Sequence, residues 1–368
     1  MGRETFAGDV AFEHRGHLGI ITLNRPKAVN SLTELMCESV LLQLQEWAED
    51  DGVVQVLIRG AGDRGLCAGG DVVGLHRDMV EHQPLDGGPL LPEGTPAYRA
   101  EFRGERFFSV EYEMNRCIAE YPKPYIALMD GLVLGGGIGI SAHGSHRLVT
   151  ERTRTGMPET TIGFSPDVGG TYLLGRAPRR LGLHAGLTGT HLDAADAIAL
   201  GLADAQIAAE HMCDLIDALS SETVEEVLPR FTVEPEPSGL AAAADWIDVA
   251  YAEETAEGIL TKLDELGEEI PEAAQAAETL RGRSPVALKV ALRAIRAGAQ
   301  LSLEGALIQE HTIGMHALRS HDFREGIRAQ VVDKDRSPRW DPASLEGVDQ
   351  ELVDHYFTPV PGRILTFS

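Results

Sequence analysis

Two carboxylates in a run of apolar and small residues could do acid–base or nucleophilic chemistry. Glu159 and Asp167 lie in residues 157–170 (MPETTIGFSPDVGG), and a proline precedes each of them. A carboxylate in a poorly hydrated cleft has a raised pKa, and a second carboxylate nearby would couple to it. Such a pair suits general acid–base or nucleophilic catalysis. Spacing alone leaves an alternative, in which both acids cap helices, because Asp is a good N-cap residue.

Two glycine-rich turns could supply backbone amides to the same reaction. They are residues 66–71 (LCAGGD) and residues 131–139 (GLVLGGGIG), and each lies after a predicted strand. Glycine lets N–H groups approach a ligand without side-chain obstruction, and donors from two turns can converge on one oxygen. The pair indicates an oxyanion site, although tight packing also explains glycine-rich turns.

Strands alternating with helices must position these turns. Apolar and β-branched runs predict four strands, at 18–23, 53–58, 125–129 and 147–149. A helix is predicted after Ser31, which we expect to be its N-cap because Glu34 follows at capping-box spacing. Strands separated by helices indicate an α/β layer architecture.

Composition and charge exclude several classes of function. The chain has 368 residues, 43% hydrophobic and 24% charged, as in ordinary folded proteins. Its net charge is −25, and the stretch from Ala203 to Leu280 alone holds 20 acidic and 2 basic residues. Such a surface repels phosphate backbones and anionic lipid, so we expect neither nucleic acid nor a membrane as a partner.

Cysteine usage predicts a reducing compartment. The four cysteines contain no C-x-x-C pair, so we expect neither a disulfide framework nor a zinc ribbon. Residues 1–10 lack a basic region followed by an apolar one. We therefore expect a cytoplasmic protein.

Three further patterns have competing interpretations. Residues 137–142 match a relaxed dinucleotide-binding fingerprint, but the acid that should end a second strand, Glu159, follows a proline. His143 and His146 have no evident third ligand, so no metal site is expected. A basic stripe, formed by Lys289, Arg293 and Arg296, could bind a phosphate group or pair with nearby carboxylates.

Long motifs along the chain resemble the enoyl-CoA hydratase/isomerase (crotonase) superfamily. They are residues 23–30 (LNRPKAVN), 67–71 (CAGGD) and 131–141 (GLVLGGGIGIS). Three other segments resemble the branch that hydrolyses 3-hydroxyacyl-CoA thioesters: residues 157–170, 284–293 (SPVALKVALR) and 321–340 (HDFREGIRAQVVDKDRSPRW). The likeness covers nearly the whole chain and is weakest between about residues 201 and 280.

The resemblance implies a fold and a substrate class. It implies an α/β, crotonase-like spiral of ββα units over 1–202, an acidic and mainly helical region over 203–282, and a helical C-terminal region over 283–368. The implied substrate is an acyl-CoA thioester, with 3-hydroxyisobutyryl-CoA expected first. CoA enters with the substrate, so no separate cofactor is expected. Relatives commonly form trimers and hexamers, so a homo-oligomer is possible, although the enlarged C-terminal half could cover that interface.

The same resemblance implies which residues bind the substrate. The backbone N–H groups of Gly70 and Gly136 would hold the thioester oxygen. Lys27, Ala28 and Ala68 would lie near the adenine and ribose of CoA.

One departure from the superfamily separates two activities. Hydratases place one Glu where this chain has Gly139, and a second at the position of Glu159. Asp167 is an extra acid, as in the hydrolase branch, where it would orient water or Glu159. Glu159 would attack the thioester carbonyl or act as general base on water, and Glu111 would contact the substrate hydroxyl. A hydratase or isomerase, and a non-catalytic acyl-CoA-binding protein, are the alternatives.

Overall fold

The computed structural model describes residues 3–82, 90, 93 and 95–367. They form two compact units that interleave along the sequence. Unit 1 comprises Met1–Gly70, Val110–Gly156 and His191–Ala241. Unit 2 comprises Asp71–Ser109, Met157–Thr190 and Ala242–Ser368. The segments 1–202, 203–282 and 283–368 are consecutive rather than interleaved, and they stay a prediction.

The described part of unit 1 contains ten strands, eight of which form one sheet. The strands are β1 (Arg3–Ala7), β2 (Val10–Arg15), β3 (Leu18–Leu23), β4 (Gln55–Gly60), β5 (Tyr125–Met129), β6 (Leu132–Leu134), β7 (His146–Val149), β8 (Arg154–Gly156), β9 (Ala205–Ile207) and β10 (Thr232–Val233). The sheet order is β1-β2-β3-β4-β5-β7-β9-β10, and β6 and β8 form a separate parallel pair. Pairing is parallel from β3 to β9 and antiparallel at both ends of the sheet.

Helices make up most of the remaining described chain. They are α1 (Glu34–Glu49), α2 (Val72–His82), α3 (Pro96–Arg99), α4 (Arg103–Ala119), α5 (Gly136–Gly139), α6 (Gly170–Arg176), α7 (Leu181–Thr188), α8 (Ala194–Leu200), α9 (Met212–Leu219), α10 (Val224–Phe231), α11 (Gly239–Ala242), α12 (Ala244–Ala250), α13 (Ala256–Gly267), α14 (Pro271–Arg281), α15 (Pro285–Gly298), α16 (Leu303–Ala317), α17 (His321–Ile327) and α18 (Gln350–Tyr356). None of the described helices is both long enough and apolar enough to span a membrane. The mixed architecture confirms the predicted α/β class.

The predicted strands are found, with small shifts at two of them. β3 and β5 have the predicted bounds, whereas the strands predicted at 53–58 and 147–149 are Gln55–Gly60 and His146–Val149. Their apolar side chains, with those of β9, α9 and α10, form one buried cluster: Leu18, Ile20, Leu57, Ile126, Leu128, Leu148, Ile207, Leu215, Ile216, Leu219, Val224 and Val227.

Helix α1 begins later than predicted. Its N-cap is Thr33, whose Oγ1 accepts a hydrogen bond from the N–H of Met36 at 3.3 Å, so the capping box at Ser31 is wrong. The helix packs on the sheet where Gly19 leaves room for Trp47, since a Cβ on that glycine would lie 2.8 Å from the indole ring.

In unit 2, glycines allow three helices to pack closely. A Cβ on Gly298 of α15 would lie 2.4 Å from the carbonyl oxygen of Thr171 in α6, and one on Gly182 of α7 would lie 1.9 Å from that of Leu174. Helix α15 begins after Ser284, whose Oγ accepts a hydrogen bond from the N–H of Ala287 at 3.0 Å.

Candidate active site

The two glycine-rich turns lie side by side in unit 1. The Cys67 N–H donates to the Leu132 carbonyl at 3.1 Å, and the Leu134 N–H donates to the Cys67 carbonyl at 2.9 Å, so the first turn runs along β6. A Cβ on Gly136 would lie 3.3 Å from the nitrogen of Gly70. No hydrogen bond between described residues uses the N–H of either glycine. The two amides are therefore neighbours, as an oxyanion site requires.

Close packing explains part of the glycine run as well. A Cβ on Gly137 would lie 2.5 Å from the carbonyl oxygen of Cys67. Gly69 and Gly135 have φ angles of 101° and 50°, in the left-handed region that favours glycine. Gly136 begins α5, so its N–H has no acceptor within that helix. Close packing and an accessible N–H group therefore both explain why glycines stand in this run.

Glu111 lies against the second glycine turn. Its carboxylate is buried on α4, and its Oε1 lies 2.5 Å from where a Cβ on Gly136 would be. Burial, with the charge of Glu111 adding to it, raises the pKa of the Cys67 thiol to about 12. The acid thus sits beside the amide pair, and its contact with a substrate hydroxyl stays a prediction.

The three residues predicted to contact CoA lie in adjoining loops of unit 1. Lys27 and Ala28 belong to the 3₁₀ turn Pro26–Ala28, and Lys27 is exposed. The Ala68 N–H donates to the Val29 carbonyl at 3.0 Å. The loop before α1 and the first glycine turn are therefore tied together, next to Gly70.

Glu159 is a buried acid in unit 2. It begins the 3₁₀ turn Glu159–Ile162, is 6% exposed, and its Oε2 has no hydrogen-bond partner among the described residues. Burial and then the charge of Asp167 raise the pKa of Glu159 well above its ordinary value. An unsatisfied buried polar atom is costly, so its retention points to a role in chemistry.

Asp167 starts a strained turn close to Glu159. Its carbonyl accepts a hydrogen bond from the Gly170 N–H at 2.6 Å, and the two residues between them, Val168 and Gly169, have φ angles of 54° and 79°. Gly169 is the N-cap of α6, so the alternative in which Asp167 caps a helix does not apply. Glu159 likewise lies inside its turn rather than at the N-cap, which is Pro158.

A third buried acid, which the motifs did not reveal, joins this pair. Glu310 lies on α16, is 1% exposed, and accepts hydrogen bonds from the N–H of Gly169 at 2.6 Å and the N–H of Thr171 at 2.8 Å. Burial raises the pKa of Glu310 to about 8, and its charge acts on Glu159. In the sequence, the signal that could have revealed Glu310 is its place among the apolar residues of helix α16.

Segments 284–293 and 321–340 support the turn that carries Glu159. The Ser284 Oγ donates to the Asp322 carboxylate at 2.5 Å, and a Cβ on Gly163 would lie 2.4 Å from the carbonyl oxygen of Asp322. Phe164 stacks on Phe323 with ring centroids 4.8 Å apart. These contacts pack the two segments against the end of the turn that carries Glu159.

The basic stripe pairs with acidic and carbonyl groups of unit 2. Lys289 forms an ion pair with Glu257 at 2.7 Å, and Arg293 pairs with Asp354. Arg296 donates to the backbone carbonyl oxygens of Glu253 and Glu254. The structure therefore shows Lys289 and Arg293 of the stripe paired with nearby carboxylates, which was the second interpretation of its spacing.

The dinucleotide fingerprint does not take the geometry that its function needs. Glu159 begins a 3₁₀ turn instead of ending a strand, contrary to the fingerprint. Among the described residues, Asp78, Glu81 and His82 form the group of three potential ligands that lie close enough to share a metal ion, and neither His143 nor His146 belongs to it.

Comparisons with known proteins show the family to which the chain belongs. The family model described as enoyl-CoA hydratase/isomerase matches residues 18–357. Proteins named "3-hydroxyisobutyryl-CoA hydrolase, mitochondrial" from Danio rerio and Homo sapiens are 38% and 33% identical to this chain, covering 97% and 100% of it and 91% and 93% of themselves.

Two solved structures are similar over almost the whole chain. A carnitinyl-CoA dehydratase from Mycobacterium thermoresistibile is 44% identical, with a TM-score of 0.88 and 98% of both chains covered. An enoyl-CoA hydratase from Rhodobacter sphaeroides is 37% identical, with a TM-score of 0.87, 98% of this chain covered and 100% of that chain. The chain therefore belongs to the enoyl-CoA hydratase/isomerase family and has the crotonase fold.

Proposed function

We propose that the protein hydrolyses a short 3-hydroxyacyl-CoA thioester, with 3-hydroxyisobutyryl-CoA as the first candidate, to the free acid and CoA. The observation that carries the proposal is the Glu159 carboxyl group, which is buried beside Asp167 with one oxygen lacking a hydrogen-bond partner among the described residues. The names of the Danio rerio and Homo sapiens relatives agree with this activity.

The chemistry divides between the amide pair and the acids. The N–H groups of Gly70 and Gly136 stabilise the oxyanion, and one such donor is worth about 3–4 kcal/mol of barrier in other enzymes. Either the Glu159 carboxylate attacks the carbonyl carbon, the C–S bond breaks and water then hydrolyses the mixed anhydride, or Glu159 takes a proton from the water that attacks. Asp167 orients the water or Glu159 and helps to pass the proton that the water loses to the leaving thiolate.

In the proposed reaction, residues of unit 1 recognise the substrate. Glu111 accepts a hydrogen bond from the 3-hydroxyl of the acyl group, and Lys27, Ala28 and Ala68 contact the adenine and ribose. CoA arrives with the substrate, and no other cofactor enters the proposed reaction.

A second candidate is hydration or isomerisation of an enoyl-CoA, which the descriptions of the two similar solved structures favour. Gly139, however, has no side chain where hydratases of the superfamily place their first Glu. A hydratase removes 2-enoyl-CoA absorbance without releasing thiol, whereas a hydrolase releases thiol.

The test is thiol release from a panel of 3-hydroxyacyl-CoA and 2-enoyl-CoA esters, followed with a thiol-reactive dye. Glu159→Gln should lose at least about a hundredfold in kcat while binding of the CoA ester persists, because the base or nucleophile is gone. The matched control is Glu272→Gln, an exposed acid on α14, which should hydrolyse normally. Normal turnover by the Glu159 variant would refute the assignment.

Location and assembly are proposed on separate grounds. All four cysteines are free thiols, which fits the cytoplasm as a reducing compartment, while the named relatives are mitochondrial. A homo-oligomer is proposed from the habits of the superfamily, and light scattering of the purified protein tests it.

A further inference from the structure

Glu310 is a buried carboxylate that the proposed mechanism does not use. One of its oxygens accepts the Gly169 N–H at 2.6 Å, and the other accepts the Thr171 N–H at 2.8 Å and the Thr171 Oγ1 at 2.5 Å. In all three contacts an oxygen of the Glu310 carboxyl group is the acceptor. The donors come two and four residues after Asp167, so a side chain on α16 holds a turn that lies far away in the sequence.

The Asp167 turn, residues 167–171, needs such support. Val168 has a φ angle of 54°, which is a strained conformation for a β-branched residue. Strained backbone persists only where its surroundings hold it. Inside the turn, the Gly170 N–H donates a hydrogen bond to the Asp167 carbonyl. Outside it, Glu310 binds the amides on either side of Gly170.

We propose that Glu310 is a positioning residue for the hydrolysis, which holds the Asp167 turn so that the Asp167 carboxylate stays beside Glu159. This inference rests on the proposed function. Glu310 acts through Asp167 and does not itself touch the substrate.

The charges of the three acids fit this arrangement. Asp167 adds to burial in raising the pKa of both Glu159 and Glu310. A displaced Asp167 would therefore change the environment of Glu159 as well as its own.

Replacement by glutamine tests the hydrogen bonds with little change of volume. The amide NH₂ of Gln in Glu310→Gln must face the N–H of Gly169 or of Thr171, so one backbone donor loses its acceptor. We expect kcat for thiol release to fall about tenfold or more with KM within about twofold, because orientation is lost and binding is not.

A double-mutant cycle separates positioning from general support. In an Asp167→Asn background, Glu310→Gln should lower kcat by less than about threefold, because the group it positions is already altered. A merely structural role would lower kcat by the same factor in both backgrounds. Equal factors, or an unchanged kcat in the single variant, would overturn the proposal.

Two further variants serve as a control and as a substitute for Glu310→Gln. Gln309→Ala is the matched control, because its side chain on the same helix donates to the Ala294 carbonyl at 3.2 Å, and kcat should stay unchanged. Thr171→Val keeps the backbone N–H and removes one hydrogen bond to Glu310. It should lower kcat in the same direction by a smaller factor, and it replaces Glu310→Gln in the cycle if that variant does not fold.

A crystal structure of Glu310→Gln decides the inference without any assay. We expect the Asp167 turn to be displaced, and an unmoved turn would overturn the proposal. Absence of thiol release by the wild-type chain would refute the proposed function instead, so the two failures are distinguishable.

Discussion

Burial and like charge, rather than a basic partner, shape the acid that we place at the centre of the chemistry. The pKa of Glu159 is raised first by desolvation and then by the charge of Asp167. A carboxyl group whose pKa is raised in this way exchanges its proton nearer to neutral pH, where proton transfer to and from water is most useful. The same environment leaves one oxygen of the group without a hydrogen bond among the described residues.

The pH dependence of hydrolysis follows from that raised pKa. Glu159 must be ionised to attack the carbonyl or to accept a proton, so kcat/KM should rise with pH as the group loses its proton. The acid limb should lie well above the ordinary glutamate pKa of about 4.3. Thiol release measured across pH, with circular dichroism confirming the folded state at each point, tests this. A rate that stays level down to about pH 5 would contradict it.

At the level of elements, short glycine-rich segments determine where the functional amides lie. The segment before Gly70 runs along β6, and α5 starts at Gly136, so the two N–H groups become neighbours without a side chain between them. Glu111 on α4 occupies the space in which a side chain on Gly136 would stand.

Adding one methyl group at Gly136 should therefore damage the site. A Cβ there would lie 2.5 Å from the Glu111 Oε1 and 3.3 Å from the Gly70 nitrogen, so Gly136→Ala must displace the acid or the amide pair. We expect a loss of about tenfold or more in kcat. Gly239→Ala is the control, because a Cβ at that position meets nothing within 4 Å. Equal activity of the two variants would argue against the amide pair.

Helix packing in unit 2 makes a second prediction at this scale. Gly298→Ala would place a Cβ 2.4 Å from the Thr171 carbonyl oxygen, which forces α15 and α6 apart. We expect the free energy of unfolding to fall by about 1–3 kcal/mol in urea titrations. At Gly282, the nearest atom to such a Cβ is 3.4 Å away, so Gly282→Ala should leave that free energy nearly unchanged. An undiminished unfolding free energy of the first variant would contradict the close packing.

At the scale of the whole molecule, buried titratable groups make stability depend on pH. The folded state binds a proton on Glu310 up to about pH 8, whereas the unfolded chain releases it near the ordinary value. Stability that comes from this proton is present below the unfolded pKa and is lost as the pH rises through the folded one. Three histidines, the half-buried His184 and the buried His311 and His316, act in the opposite sense, since loss of solvation lowers the pKa of each to about 4.

Above the ordinary histidine pKa the histidines of the unfolded chain lose their protons, so their effect fades and that of Glu310 dominates. Between pH 6.5 and 8.5 the free energy of unfolding should fall by on the order of 2 kcal/mol through Glu310, and the three histidines, half protonated in the unfolded chain at pH 6.5, should offset about 1 kcal/mol of that fall. Urea unfolding at both pH values measures this difference. It should shrink in Glu310→Gln, which has no titrating group at that position, and an equal difference in both proteins would show that other groups are responsible.

The amino-acid sequence was most informative where a property depends on neighbouring residues. Runs of β-branched and apolar residues predicted β3 and β5 with the observed bounds, because the period of side chains along a buried strand is local. The start of α1 was predicted two residues too early, at Ser31 instead of Thr33, because a helix end depends on which hydroxyl reaches a free amide. The motifs also identified the family, which the comparisons confirm.

Only the folded chain could bring Glu310 to the Asp167 turn, since about 140 residues separate the hydrogen-bonded groups. The same holds for the basic stripe, whose spacing left two interpretations until the acidic partners of Lys289 and Arg293 were located. Local spacing determines which residues can do chemistry and which elements carry them. Tertiary structure decides which of them lose water and meet, because burial and distance arise only when remote segments pack together.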